Sequence, residues 1–169
     1  MKIRNGFVTN SSSSSFIIAF QNEDEIESSV RKAILEYPPT HCIWGEMTIE
    51  DVISGATHYA LNGIAKGKTS LEEIEKILTR EFKAQARWAL YYNTKIFLED
   101  DGSYLNSKEY KTKEKEFVGN RVKEVMEKLK GKDYIFYASF SDNDGCIGSY
   151  IEHEIAPNMK ETVCVFSHH

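Results

Sequence analysis

Two aspartates and a later acid–imidazole pair are the residues in this chain whose types and spacing could bind a divalent cation. Asp142 and Asp144 lie in the segment Asp-Asn-Asp-Gly, and Glu152 and His153 follow shortly after it. Carboxylate oxygens are preferred ligands of magnesium and calcium, and an imidazole nearby could assist a metal-bound water. The spacing does not match a calcium-binding loop, and Asp-Asn-Asp-Gly is also a common hairpin turn. The segment predicts either an ordinary turn or a metal site for hydrolysis.

The same part of the chain carries residues that suit a softer metal such as zinc. They are spaced more loosely than in a zinc knuckle, and one cysteine, within Val-Cys-Val, is more typical of a small core hydrophobe. The four residues are Cys146, His153, Cys164 and His168.

Cysteine usage indicates the redox environment. The chain has three cysteines and no Cys-x-x-Cys, which predicts no disulfide framework and favours a reducing compartment. Cys42 follows His41, but a nucleophilic pair must meet in space and be oriented by a third group, and adjacency alone does not indicate this. No motif of a hydrolase, a phosphate loop or a zinc protease is present, so the sequence favours a protein that is not an enzyme.

A serine run near the start of the chain, Ser11, Ser12, Ser13, Ser14 and Ser15, is a candidate binding segment. Its backbone amides could hold an anion, and its hydroxyls could bond to nearby backbone or be phosphorylated. The simpler interpretation is a polar segment that leads into the first strand.

The residues around this run carry a resemblance. The stretch from Ile3 to Ile17 resembles the start of many uncharacterised small bacterial and phage proteins. Their pattern is Arg-x-Gly-Phe-Val-Ser-Asn, a serine run, then Phe and an aliphatic residue; Thr9 stands where serine is usual. The segment Phe140-Ser141-Asp142-x-Asp144-Gly145 with Glu152-His153 is also similar to material in such proteins. The resemblance implies no activity, but it implies an accessory gene of a phage or prophage.

A basic helix is the third candidate surface. Lys108, Lys111 and Lys115 share one helical face that could meet an acidic protein or a phosphate backbone. The chain carries a net charge of −5, with +4 between Lys108 and Lys132 and −9 in the remainder. The overall negative charge makes nucleic acid an unlikely partner, and the divided charge favours a protein partner.

Helical spacing of apolar residues predicts four helices, each with a capping signal at its start. Gly55 and Gly63 within the second helix indicate that another element approaches it closely. The predicted helices run from the Asn22 cap to Pro38, from the Thr48 cap to Gly67, from Leu71 (capped by Ser70) to Tyr92, and from the Asn106 cap to Gly131.

Short runs of β-branched and aromatic residues predict strands at both ends of the chain. The N-terminal strand is expected to join a C-terminal meander in a small, mainly antiparallel sheet covered by about four helices, an α+β fold. The predicted strands are 15–20, 134–140, 149–155 and 162–166, with a further short one at 95–98.

The length of 169 residues predicts a single domain over 1–169. No signal-peptide pattern or apolar stretch of about 18 residues is present, which predicts a cytoplasmic protein, in the host cytoplasm if phage-encoded. We expect a small interaction protein that binds a partner, for example to inhibit a host protein. The alternatives are a metal-dependent hydrolase using Asp142, Asp144, Glu152 and His153, and a structural component of a larger assembly. No cofactor is expected beyond a possible divalent metal, and the oligomeric state is left open.

Overall fold

The computed structural model describes residues 13–43 and 45–168. They fall into two compact units, one formed by the chain up to Thr69 and from Gly131 onward, the other by Ser70–Lys130. The first unit holds a four-stranded antiparallel sheet with helices, and the second is helical. The predicted α+β class is confirmed. Within the described ranges, no helix combines the length and the apolar character that crossing a bilayer requires.

The sheet of the first unit has four strands. Strand β1 (Ser13–Phe20) lies between β3 (Tyr134–Ser141) and β4 (Thr162–His168) and is antiparallel to both, with Phe16 opposite Ala138 and Val165. Strand β2 is the short Lys68–Thr69 pairing with β3. Because β1 has a neighbour on each side and helices nearby, its residues 14–20 are buried. The predicted pairing of the two chain ends is confirmed.

Helix α1 (Glu25–Glu36) begins three residues after the predicted cap, since its N-cap residue is Asp24. The Asn22 amide still donates to Glu25 Oε1 at 3.1 Å, so the predicted pair forms without capping the helix. The helix ends before Pro38, as predicted. A short 3-10 helix, Thr40–Cys42, follows it.

Helix α2 (Ile49–Lys66) has the predicted start and end. Thr48 and Asp51 form a reciprocal capping box, and Gly67 is the C-cap. The close approach predicted at Gly63 is confirmed, because a Cβ there would lie 3.1 Å from Cζ of the Phe140 ring. Helix α2 therefore packs directly on β3. The core between sheet and helices includes Phe16, Ile18, Phe20, Val30, Ile34, Val52, Ala56, Ile64, Phe136 and Phe140.

The second unit is built on α3 (Leu71–Arg87) and α5 (Lys108–Lys128). Ser70 caps α3, and a π-helical segment, Trp88–Tyr92, continues it to the predicted end. Ser107 caps α5 by accepting a hydrogen bond from the Tyr110 N–H, so the cap predicted at Asn106 is wrong by one residue. The fully buried face of α3 is one stripe, formed by Ile74, Leu78, Phe82 and Ala86.

Two predicted strands are wrong. Residues 95–98 lie in α4 (Lys95–Glu99). Residues 149–155 lie in α6 (Gly145–Tyr150) and the π-helical segment Ile151–Ile155 that continues it. The alternating polarity of the second stretch also fits a helix, because Ile151 and Ile155 are four residues apart and both are buried. The C-terminal part is therefore strand, helix and strand, and a meander is not formed.

The expectation of no disulfide is also wrong. Cys42 and Cys146 are bonded across a sequence separation of 104, with their Cα atoms 5.8 Å apart. Cys146 is the second residue of α6, and Cys42 is the last residue of the 3-10 helix. Their pairing depends on long-range packing, which cysteine spacing does not encode.

Candidate functional site

The serine segment and the polar turn lie side by side. Ser13 pairs with Ser141 across β1 and β3, and the Ser14 hydroxyl donates to Glu152 Oε1 at 2.8 Å. The hydroxyls of Ser15 and Ser139 are 2.8 Å apart. Ser11 and Ser12 lie outside the described residues. The described serines thus hold the end of β1 against β3 and against the π-helical segment Ile151–Ile155, and none of these contacts leaves an open cradle for an anion.

Glu152 is the most unusual of these residues because its carboxylate is buried, with the residue only 1% exposed. Its Oε1 accepts from Ser14, while its Oε2 has no hydrogen-bond partner in the described chain and lies 3.9 Å from His153 Nε2. A buried carboxylate oxygen without a partner costs free energy, because burial removes its hydration. The Ser14–Glu152 contact is therefore a buried polar anchor between β1 and the π-helical segment Ile151–Ile155.

Replacement of Ser14 by alanine tests this anchor. The variant leaves the buried carboxylate with no hydroxyl donor, so we expect unfolding free energy to fall by about 1.5–3 kcal/mol, the range for hydrogen bonds to charged groups. In a Glu152→Gln background the same substitution should cost only about 0.5–1.5 kcal/mol, since the partner is then neutral. Urea denaturation of the wild type, the two single variants and the double variant gives the coupling free energy between Ser14 and Glu152. Equal costs in the two backgrounds would contradict the assignment.

Asp144 is engaged by Tyr59 of α2, whose phenol donates to Asp144 Oδ2 at 2.6 Å. Burial, followed by this hydrogen bond and by the charges of Asp144 and Glu152, raises the pKa of Tyr59 above its ordinary value. Tyr59 therefore stays protonated at neutral pH and acts as a donor. The arrangement fixes the Asp142–Asp144 turn on α2 and provides no general base.

The raised pKa of Tyr59 makes the unfolding free energy depend on pH in alkaline solution. In the unfolded chain Tyr59 ionises at about pH 10, while in the folded protein it remains protonated at that pH. The contribution of Tyr59 to the unfolding free energy is therefore complete below about pH 10, and it is lost as the pH rises toward the pKa of the folded state. Between roughly pH 9.5 and 11.5, the unfolding free energy of a Tyr59→Phe variant should fall less steeply than that of the wild type. Denaturant titrations across this range measure the slopes. Identical slopes of unfolding free energy against pH for the two proteins would show that Tyr59 does not contribute to this pH dependence.

The four predicted metal ligands do not converge. Glu152 and His153 approach each other, while Asp144 is held by Tyr59 and Asp142 lies in the 3-10 helix Asp142–Asp144. Within residues 13–43 and 45–168, three ligand atoms of the kind that bind metals come within 4.8 Å of one another only at His41, Cys42 and Cys146. The predicted softer set is likewise not assembled, because Cys146 meets Cys42 instead.

A groove with a volume of about 850 Å³ runs between α2 and the residues of β3 that face it. Its lining is mixed, and Asn62 and His58, one turn apart on α2, contact each other at 2.9 Å. The polar side chains that line it are His58, Tyr59, Asn62, Lys66, Tyr137, Ser139 and Asp144. No single charge or shape in this set selects a ligand.

The second unit contains a different groove, of about 660 Å³, lined only by residues of α3 and α5. Val118, Val122 and Met126 supply its apolar surface. At Gly119 an added Cβ would meet nothing within 4 Å, so the groove is open there. The remaining lining residues are Glu75, Thr79, Lys83, Glu114, Lys115 and Lys123. We call this feature the α3–α5 groove.

Three lysines rim the α3–α5 groove: Lys83, Lys115 and Lys123. None of the three forms an ion pair with another residue of the described chain, whereas Lys113 on the same helix pairs with Glu109 at 2.7 Å. Of the three lysines predicted from the sequence, Lys115 lines the groove and the exposed Lys108 and Lys111 do not. The sequence missed Lys83 and Lys123, because only the pairing of α3 with α5 brings them to one rim.

An exposed aromatic cluster follows α3 in the same unit. Trp88 contacts Tyr92, and Tyr92 contacts Phe97, at ring-centroid distances of 4.9 and 5.1 Å. Trp88 is 60% exposed and Leu98 is 81% exposed. Such side chains are common in protein interfaces, but nothing in the cluster specifies a partner.

Comparison of the chain with protein-family models, with curated protein sequences and with solved structures found no match.

Proposed function

We propose that this chain is a small cytoplasmic accessory protein, of the kind that phages and mobile elements carry, which acts by binding another protein. Its contact surface is the α3–α5 groove, and the part of the partner that binds there is an acidic amphipathic helix. The observation that supports this most is the combination of an open apolar floor with three lysines on the rim that have no ion-pair partner in the described chain.

The dimensions of the groove suit a helix. Lining residues on α5 extend from Glu114 to Met126, and those on α3 recur every four residues, at Glu75, Thr79 and Lys83. At a rise of 1.5 Å per residue, the α5 side is roughly 18 Å long, about the length of a three-turn helix. Amphipathic helices bind in such grooves through apolar residues at positions i, i+4 and i+7.

The rim charges favour an acidic partner. Carboxylates placed opposite Lys83, Lys115 and Lys123 would steer the encounter and fix its register, and the gain would weaken with salt because the pairs are exposed. Glu75 and Glu114 also line the groove and disfavour an unbroken phosphate backbone. The valines and the methionine of the floor match apolar side chains better than a sugar–phosphate chain, so a protein is favoured over a nucleic acid.

Site-specific photo-crosslinking in a bacterial cell extract tests which surface is used. A crosslinking residue at position 115 faces the groove, and one at position 113 is the matched control, on the same helix but outside the groove. We expect position 115 to capture a protein that position 113 does not. A capture pattern that is equal at the two positions, or the absence of any capture at position 115, would contradict the proposal.

The captured protein must then bind through the groove in purified form. A leucine at Gly119 fills the groove, and the chain should still fold because the space there is open. We expect Gly119→Leu to weaken binding by about tenfold or more, equivalent to about 1.4 kcal/mol, while Gly119→Ala has a smaller effect. Unchanged affinity of the leucine variant, measured by calorimetry with an intact far-UV spectrum, would exclude the groove as the contact surface.

A further inference from the structure

A cluster of sulphur and imidazole ligands lies in the first unit, and two of its members, Cys42 and Cys146, form the disulfide. His41, Cys42 and Cys146 bring one ligand atom each to within 4.8 Å of the others. We infer that these three residues form a redox-controlled zinc site: the reduced chain binds one Zn²⁺ ion through Cys42 Sγ, Cys146 Sγ and a His41 nitrogen, and the disulfide is the metal-free form.

The backbone already places the three residues for this role. His41 and Cys42 lie on the 3-10 helix Thr40–Cys42, and Cys146 lies in the first turn of α6. The His41 ring packs edge-on against the Tyr150 ring at a centroid distance of 5.9 Å, which holds it beside the sulphurs. Cys42 is buried, Cys146 is half-buried and His41 is exposed. A metal can therefore enter from the His41 side and rest against a protected sulphur.

The chemistry of the set matches zinc. Thiolate and imidazole are the usual zinc ligands, with Zn–S distances of about 2.3 Å, and three protein ligands leave the fourth position for water. In a tetrahedral site the two sulphurs would be roughly 3.8 Å apart. Reduction must therefore separate the sulphurs beyond bonding distance, and rotation about the two Cα–Cβ bonds can provide this while the Cα atoms stay 5.8 Å apart.

The conversion between the disulfide form and the zinc-bound form transfers two electrons and two protons. A thiol reductant supplies two electrons and two protons to the Cys42–Cys146 bond, which gives two thiols and one molecule of oxidised reductant as its disulfide. Zinc binding then displaces the two thiol protons. In the reverse direction, hydrogen peroxide takes two electrons from the zinc-bound thiolates and, with two protons, becomes two molecules of water. The disulfide re-forms and the zinc ion is released.

Metal titration of the reduced and oxidised chain tests the inference. Zinc affinity is measured by competition with a chromophoric chelator, and cobalt serves as a spectroscopic probe of thiolate ligation. The reduced wild type should bind one metal ion per chain and show a thiolate-to-cobalt charge-transfer band, and the oxidised wild type should show neither. His41→Gln should weaken zinc binding by about tenfold or more, since loss of even an outer-shell partner typically costs 10–100-fold.

Matched variants test which cysteine and histidine residues bind the metal. Cys42→Ser and Cys146→Ser should each abolish the thiolate band of a two-sulphur site, while Cys164→Ser and His58→Gln should leave zinc affinity within about threefold of the wild type, roughly 0.6 kcal/mol. Hydrogen peroxide should release one zinc ion per chain from the reduced wild type. Equal zinc binding by the reduced and oxidised wild type, or loss of binding on replacing Cys164 instead of Cys42, would overturn the inference.

Discussion

In the oxidised protein, replacing Cys146 with serine is expected to lower the unfolding free energy by about 2–4 kcal/mol. The bond to Cys42 closes a loop across a sequence separation of 104, and the loss of chain entropy in the unfolded state grows with loop length. Cys146 is the better residue to replace, because it is half-buried and a serine hydroxyl there can reach water, while Cys42 is buried. Urea unfolding followed by far-UV circular dichroism measures the change.

Reduction provides the control for this prediction. A phosphine reductant should destabilise the wild type by about the same amount as Cys146→Ser does, about 2–4 kcal/mol, and should leave the variant unchanged. Cys164→Ser, in β4 and outside the disulfide, should keep the sensitivity to reductant. Added zinc should restore part of the stability lost by the reduced wild type, because a ligand that binds only the folded state stabilises it. A wild type whose stability is unaffected by reduction would contradict the structural role of the bond.

At Gly67 a single added methyl group should destabilise the protein, because it would meet backbone atoms of β3. A Cβ there would collide with the Tyr137 carbonyl, lying 2.7 Å from its carbon and 3.1 Å from the Ala138 nitrogen. These are backbone atoms of β3, held by the bond from the Tyr137 N–H to Gly67 O at 2.7 Å. The strand must move for the methyl group to fit, so Gly67→Ala should destabilise the protein by about 1–3 kcal/mol, and valine by more.

Gly119→Ala is the matched control for Gly67→Ala. It adds the same methyl group inside α5, where nothing lies within 4 Å of the new Cβ. Alanine is a better helix former than glycine by about 0.8–1.0 kcal/mol, so this variant should be stabilised. The two substitutions should thus shift the urea midpoint in opposite directions. A neutral Gly67→Ala would show that β3 yields easily at this point.

Local signals explain what could be predicted of the fold. Thr48, Ser70 and Gly67 mark helix ends through contacts with residues two to four positions away, and the helix ends predicted at these residues are confirmed. The stretch 149–155 could not be assigned in this way, because its alternating polarity fits both a strand and a helix. Packing decides between them, and the burial of Ile151 and Ile155 selects the helix.

The site features depend on longer-range pairing. Ser14 and Glu152 are 138 residues apart, and no local pattern links a serine run to one particular glutamate. Cys42 and Cys146 are joined for the same kind of reason, since the fold brings the 3-10 helix to the start of α6. The lysine face of α5 was visible in the sequence, but the α3–α5 groove requires a second helix whose position the sequence did not reveal.

The most direct test of the proposed function is a charge-swap measurement on the protein captured at position 115. Calorimetry would compare the wild type with a groove variant in which Lys83, Lys115 and Lys123 are glutamate. The control has three glutamates in place of Lys108, Lys111 and Lys113, outside the groove on α5. Exposed ion pairs contribute about 0.2–1 kcal/mol each, so the groove variant should bind at least about tenfold more weakly.

The control should bind within about threefold of the wild type, roughly 0.6 kcal/mol, and replacing glutamates with lysines on the partner helix should restore binding to the groove variant alone. Equal affinities for the wild type and the groove variant, or a loss shared equally by the control, would contradict the assignment of the α3–α5 groove as the binding surface.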